Sequence, residues 1–221
     1  MLTTACSFDA SSDPNATTVL LFPAFKRIRN VPHTAKGIDA LISAYLKAQK
    51  LHSAHAPLSD AQKAELMRDP SLATHLSQPE PVTKPTVLIC GHGGRDQRCG
   101  VLGPILQDGF RADFARRNLD ADVSLISHIG GHKYAGNVII YLPPNMEDHP
   151  LSGAGIWYGR VRPEDVEGLV EETIVKGRVI IPMLRGGVTV DGSDIGRIVE
   201  AQLKIARGED MTLKLKPRTR A

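Results

Sequence analysis

At 221 residues with 42% apolar side chains, the chain can bury a sizeable core as one large domain or two small ones. No stretch approaches the roughly 18 consecutive apolar residues of a membrane span. A balance of 27 basic against 24 acidic residues gives no basis for a nucleic-acid partner. Three cysteines are too few for a disulfide framework, which points to a reducing compartment and leaves metal or redox chemistry open.

The opening segment, MLTTACSFDASSDPNATT, is rich in Ser, Thr and Ala but carries Asp9 and Asp13 and no basic residue before Lys26, so it matches neither a secretory signal nor a transit peptide. Cys6 sits alone in it and reads as a spare surface thiol. Thr18 to Phe22, stopped by Pro23, is a short β-branched run that predicts a strand. The basic stretch FKRIRNVP reads as a solvated connector. In GIDALISAYLKAQK, Ile38, Leu41, Ile42, Tyr45 and Leu46 recur at helical spacing and predict an amphipathic helix over 37–50. A second helix starts after Ser59, which is an N-cap candidate. Four prolines between Asp69 and Pro85 predict a linker, dividing a domain over 1–80 from one over 81–221.

Thr86 to Cys90 reads as a buried strand that delivers Cys90 at its C-terminal edge, where ligands commonly sit in α/β sheets. A helix is predicted over 101–118, with Leu102, Ile105, Leu106, Phe110 and Phe114 on one face. Strands follow at 122–127, 138–141 and 155–161, then a helix over 163–176 opened by Pro163 and two acids. The order strand, helix, strand, strand, strand, helix is thioredoxin-like in outline. A last helix over 193–206 and a basic tail, KLKPRTRA, close the chain.

Two glycine-rich stretches stand out. CGHGGRDQRCG carries Cys90 and Cys99, and HIGGHKYAGN carries His128 and His132. Glycines let a backbone fold tightly around a cofactor, so the stretches can aim all four side chains at one point. Two Cys and two His satisfy the four-ligand count of a 2Fe-2S cluster in which a histidine pair replaces two thiolates, as in Rieske centres. Neutral imidazoles leave such a cluster less negative than an all-cysteine one, so it accepts an electron more easily, and their ring N–H couples reduction to protons. A structural zinc site is a second reading, although its cysteines normally have only two to four residues between them, against eight here. A third takes Cys90 as the nucleophile of a rhodanese-like sulfurtransferase, with Arg95 at C-x4-R spacing, but leaves the histidines unexplained. The plain reading is two buried cysteines and two hydrogen-bonded histidines. His92 is a substitute-ligand candidate, Arg95 and Arg98 are candidates for tuning the site, and Lys133, Tyr134 and Asn137 can orient the histidine loop or form a docking surface. Trp157 reads as core.

With NVIIY and GIWYGRVRPEDV following them, these two motifs resemble the sucrase/ferredoxin-like family of bis-histidinyl thioredoxin-like ferredoxins. The resemblance covers most of the chain, including LLFPAFKRI near its start. It implies an α/β protein: a thioredoxin-like ferredoxin domain and a smaller N-terminal α/β domain, itself related or degenerate. It implies a 2Fe-2S cluster held by Cys90, Cys99, His128 and His132, a role in one-electron transfer and redox homeostasis, and residence in mitochondria. With no C-x-x-C dithiol and no Gly-x-Gly-x-x-Gly fingerprint, the chain is expected to be an electron carrier rather than an enzyme, served by a separate reductase and a separate acceptor protein.

Overall fold

Thr86–Cys90 is apolar enough to be covered on both faces, and all five residues are buried in an interior strand, β4. The computed structural model describes residues 3–129 and 132–208, apart from the side chain of His132. Thus Gly130, Gly131 and the basic tail lie outside the described residues. Around β4 runs a five-stranded sheet in the order β5-β4-β6-β7-β8, with β5 at Asp122–Ile126, β6 at Val138–Leu142, β7 at Ala154–Tyr158 and β8 at Leu184–Thr189. β5 is parallel to β4, joined to it through helix α3 (Gln97–Arg117), while β6, β7 and β8 are antiparallel to their neighbours. A parallel βαβ unit followed by an antiparallel pair and a helix is the thioredoxin-like arrangement.

Alternation decides what each strand buries. Val87 and Ile89 of β4, with Val138, Ile140 and Leu142 of β6 and Ile156 of β7, meet Leu106, Phe110 and Phe114 of α3 in one core cluster. α4 (Val166–Leu169) and the wider turn that continues it to Val175 add Val166, Leu169, Val170 and Ile174. Asp113 on α3 is buried, and it is paired: Arg117 Nε lies 2.8 Å from its carboxylate, while Arg116 reaches on to Glu167 at 2.8 Å. These pairs fix α3 against α4 without leaving an unpaired buried charge.

His149 is held by two contacts that settle its protonation. The Leu151 N–H points at Nδ1 at 3.2 Å, so Nδ1 is an acceptor, and Nε2–H donates to the Ile174 carbonyl at 3.0 Å. The ring is therefore neutral, and burial pushes its pKa down. Because the unfolded chain binds this proton more readily, stability is expected to fall as pH drops below about 6.5, the ordinary histidine value. Urea titrations across pH 5 to 7 should show that slope in the wild type and a shallower one in His149→Gln.

The described residues fold as two compact units, one of residues 7–82 and the other of residues 3–6 together with those from 83 to 208. Within Ser7–Val82, β1 (Ala16–Leu21), β2 (Lys26–Pro32) and β3 (Glu80–Pro81) form an antiparallel sheet. α1 (Ala35–Leu41) runs into a π turn ending at Leu46, and α2 (Asp60–Leu66) opens on a full capping box between Ser59 and Gln62. The stretch expected as a connector is thus strand β2, burying Ile28 and Val31. The prolines after Asp69 do not mark open chain alone: Pro70–His75 is a 3-10 turn and Glu80–Pro81 completes the sheet. In the other unit, β8 is a strand the sequence did not suggest, and α5 (Ile195–Ala206) follows it. Residues 5 and 6 run along the β5 edge, with Cys6 exposed there.

Candidate metal centre

Parallel pairing places the first two candidate ligands together. Cys90 is in register with Ile126, so β4 and β5 leave the sheet at the same edge, and His128 follows two residues beyond. The Cys90 Sγ lies 3.9 Å from His128 Nδ1. Cys99 arrives by a different route from the one expected. It lies in the first turn of α3, not in a loop, because Asp96 caps that helix by accepting the Arg98 N–H at 3.0 Å. Its thiol is in hydrogen-bonding contact with that of Cys90, and the two residues are 0% and 1% exposed.

Glycines allow this approach. A Cβ on Gly100 would stand 2.6 Å from the Gly93 Cα, and one on Gly103 would stand 2.8 Å from the Gly91 Cα. The helix start therefore packs main chain against main chain on the loop after β4. Gly136 closes the opposite wall with φ of +85°, and its N–H donates to the Cys99 sulfur.

Burial pushes the Cys99 thiol up to about 11, with the neighbouring Cys90 and Asp96 adding to the shift and the Gly136 N–H opposing it. Without a cation beside it, the Cys99 thiol keeps its proton. A coordinated metal reverses that preference, because a ligating thiol is deprotonated outright.

Asn137 supplies a test of what the site is built to hold. It is the cross-strand partner of Cys90, whose N–H it accepts at 3.0 Å, so both side chains stand on one face of the sheet. Its Oδ1 accepts from the Arg185 guanidinium, while its Nδ2 is buried with no partner among the described residues. An unmet buried donor costs about 1–3 kcal/mol. A sulfur-rich anionic group beside Cys90 would meet it, and the donor set of thiols and imidazole suits such a group.

Not every candidate joins this cluster. His132 lies in a 3-10 turn, His132–Tyr134, and its side chain is outside the described residues. His92 is exposed, its ring centroid 6.5 Å from that of His128. Arg95 is exposed, and Arg98 pairs with Asp96 at 2.9 Å. Among the described residues, no three His, Cys, Asp or Glu side chains surround a single metal position. A 2Fe-2S centre asks less of each iron, two protein ligands apiece, so pairs are its requirement. Arg185 was missed by the sequence reading. It sits at the start of a strand with a Gly-Gly step, and no local pattern marks it.

A relative from Clavispora lusitaniae, named Altered inheritance of mitochondria protein 32, is 51% identical over 112 residues, covering 51% of this chain and 38% of its own length. The protein of the same name from Meyerozyma guilliermondii is 38% identical over 173 residues, covering 77% of this chain and 56% of its own. The chain thus spans about half the length of the curated relatives it matches. Among solved structures, a thioredoxin-like [2Fe-2S] ferredoxin from Aquifex aeolicus is similar at TM-score 0.38 and 17% identity, over 50% of this chain and 97% of that one. The family model described as Sucrase/ferredoxin-like matches residues 1–186, which contain both glycine-rich motifs and every residue of the cluster, and the chain belongs to that family.

Proposed function

We propose that this chain is a one-electron carrier holding a 2Fe-2S cluster through Cys90, Cys99, His128 and His132. The observation that carries this reading is the meeting of two buried thiols and His128 at one sheet edge, inside walls kept open by glycine. The two cysteines would serve one iron, since they touch each other, and the two histidines the other. A cluster bound there supplies one electron that can be taken up and returned.

The chain's own residues do the rest. Cys90 and Cys99 bind as thiolates in a pocket that excludes water. The Gly136 N–H donates to the Cys99 sulfur, and the Asn137 Nδ2, whose orientation Arg185 fixes and which has no partner among the described residues, would donate to a bound anionic group; both would stabilise negative charge there. Each ligating imidazole keeps a proton on its other ring nitrogen, which makes the electron's affinity depend on pH. A sulfurtransferase fits less well, because Cys90 is closed to a substrate anion. Given the name its relatives carry, we place the protein in mitochondrial redox homeostasis, with a separate reductase and acceptor.

Anaerobically purified protein is expected to be red-brown, with two irons and two sulfides per chain, as read by visible absorption and metal analysis. One zinc in a colourless protein would make the centre structural. Metal-free protein that transfers sulfur from thiosulfate to cyanide would make Cys90 a nucleophile. Either result would overturn the proposal.

A further inference from the structure

Tyr134 lies two residues beyond His132 and is half-buried. Three cations gather on its ring: the Arg185 guanidinium at 4.2 Å from the centroid, Lys133 Nζ at 5.1 Å and the Arg160 guanidinium at 5.4 Å. The ring face attracts each of them, but like charges so close repel one another. Elsewhere in the same unit, crowded basic residues are matched by carboxylates. Arg116 and Arg117 share Asp113, Glu167 and Glu171, Arg162 has Asp165, and Lys176 and Arg178 share Glu172. Among the described residues, no carboxylate pairs with Lys133, Arg160 or Arg185. Arg95, exposed on the loop between Cys90 and Cys99, is likewise unmatched there.

This uncompensated charge is joined to the metal centre. Arg185 touches the Tyr134 ring on one side and Asn137 on the other, and Asn137 is the strand neighbour of Cys90. We propose that the Tyr134 face, with Lys133 and Arg160 as its exposed cations, is the docking surface for a redox partner that presents a carboxylate-rich face. The partner's role rests on the electron-carrier reading; its charge follows from the cations alone. Carboxylates arriving at this face relieve the repulsion around the ring, and the field of the exposed cations steers their approach.

The test is the binding of fluorescein-labelled hexaglutamate to the full chain, followed by anisotropy at low salt. Lys133→Glu/Arg160→Glu is expected to weaken binding about tenfold, and Arg111→Glu/Arg197→Glu, which changes net charge equally at exposed sites away from the ring, less than about threefold. A Lys133→Gln/Arg160→Gln pair should fall between them. The difference should vanish near about 0.5 M salt, where screening is short-ranged. Equal losses in the two charge-reversed proteins, or unchanged binding in the first, would overturn the proposal, the latter by moving the site to basic residues elsewhere such as 214–221. Iron and sulfide content of the same samples reports separately on the cluster, since the peptide reads charge whether or not metal is bound.

Discussion

Gly136→Ala is expected to lower the melting temperature on the order of 10 °C and to abolish iron loading at the proposed centre. At φ of +85° the residue is in the left-handed region, where a side chain costs about 1–2 kcal/mol. The new Cβ would also stand 2.3 Å from the Val161 carbonyl oxygen and 2.8 Å from its nitrogen. Neither can yield easily, because Val161 is fully buried and its N–H is bonded to the Gly136 carbonyl at 3.0 Å. Overpacking of this kind adds about 1–3 kcal/mol. Any shift that relieves the clash also moves the Gly136 N–H away from the Cys99 sulfur. Gly168→Ala is the control: nothing lies within 4 Å of its added Cβ, and it should be neutral or slightly stabilising. Thermal melts with iron analysis decide the matter, and a Gly136→Ala protein that melts and loads like Gly168→Ala would show that this wall does not shape the site.

His128→Cys is expected to retain a cluster while lowering its midpoint potential by on the order of 100 mV or more and flattening its pH dependence. The direction follows from charge. A thiolate in place of a neutral imidazole leaves the centre more negative and harder to reduce, and it removes a ring N–H that titrates. The size is bounded by the spread between Rieske centres, roughly −150 to +300 mV, and plant-type ferredoxins at about −400 mV. His128 is the histidine placed 3.9 Å from Cys90, whereas His92 is exposed with its ring 6.5 Å away from that of His128. His92→Ala should therefore leave the potential nearly unchanged. The measurement is a spectroelectrochemical titration at several pH values, including His132→Cys. Unchanged potentials in both cysteine variants would remove the histidines from the ligand set.

How much of this could be read from the sequence depended on whether a local pattern carried the information. Strand β4 was legible residue for residue, because TVLIC is a β-branched and apolar run followed by a glycine loop. The Ser59 cap was legible because its hydrogen bonds are local. β2 was not, because Ile28 and Val31 are three apart: a shift in register beside β1 and the positive φ of Asn30 break the expected alternation. The start of α3 was placed too late for an instructive reason. Gly100, Gly103 and Pro104 resemble helix breakers, yet the glycines are there for contact with Gly93 and Gly91, which only the folded chain reveals. Cys90, Cys99 and His128 come together at one sheet edge, while the His132 side chain lies outside the described residues; Arg185 became visible only once β8 lay beside β7.

The glycine contacts between the start of α3 and the loop after β4 also bear on speed. The positions of Cys90 and Cys99 are set by a strand end and a helix turn pressed together through main-chain atoms, with no intervening side chain that could change rotamer. Such a frame has little freedom to relax when the charge between its sulfurs changes. For the electron carrier proposed above, that stiffness would be a small reorganisation energy: the same atomic positions would serve the oxidised and reduced states, and the barrier between them would be correspondingly low.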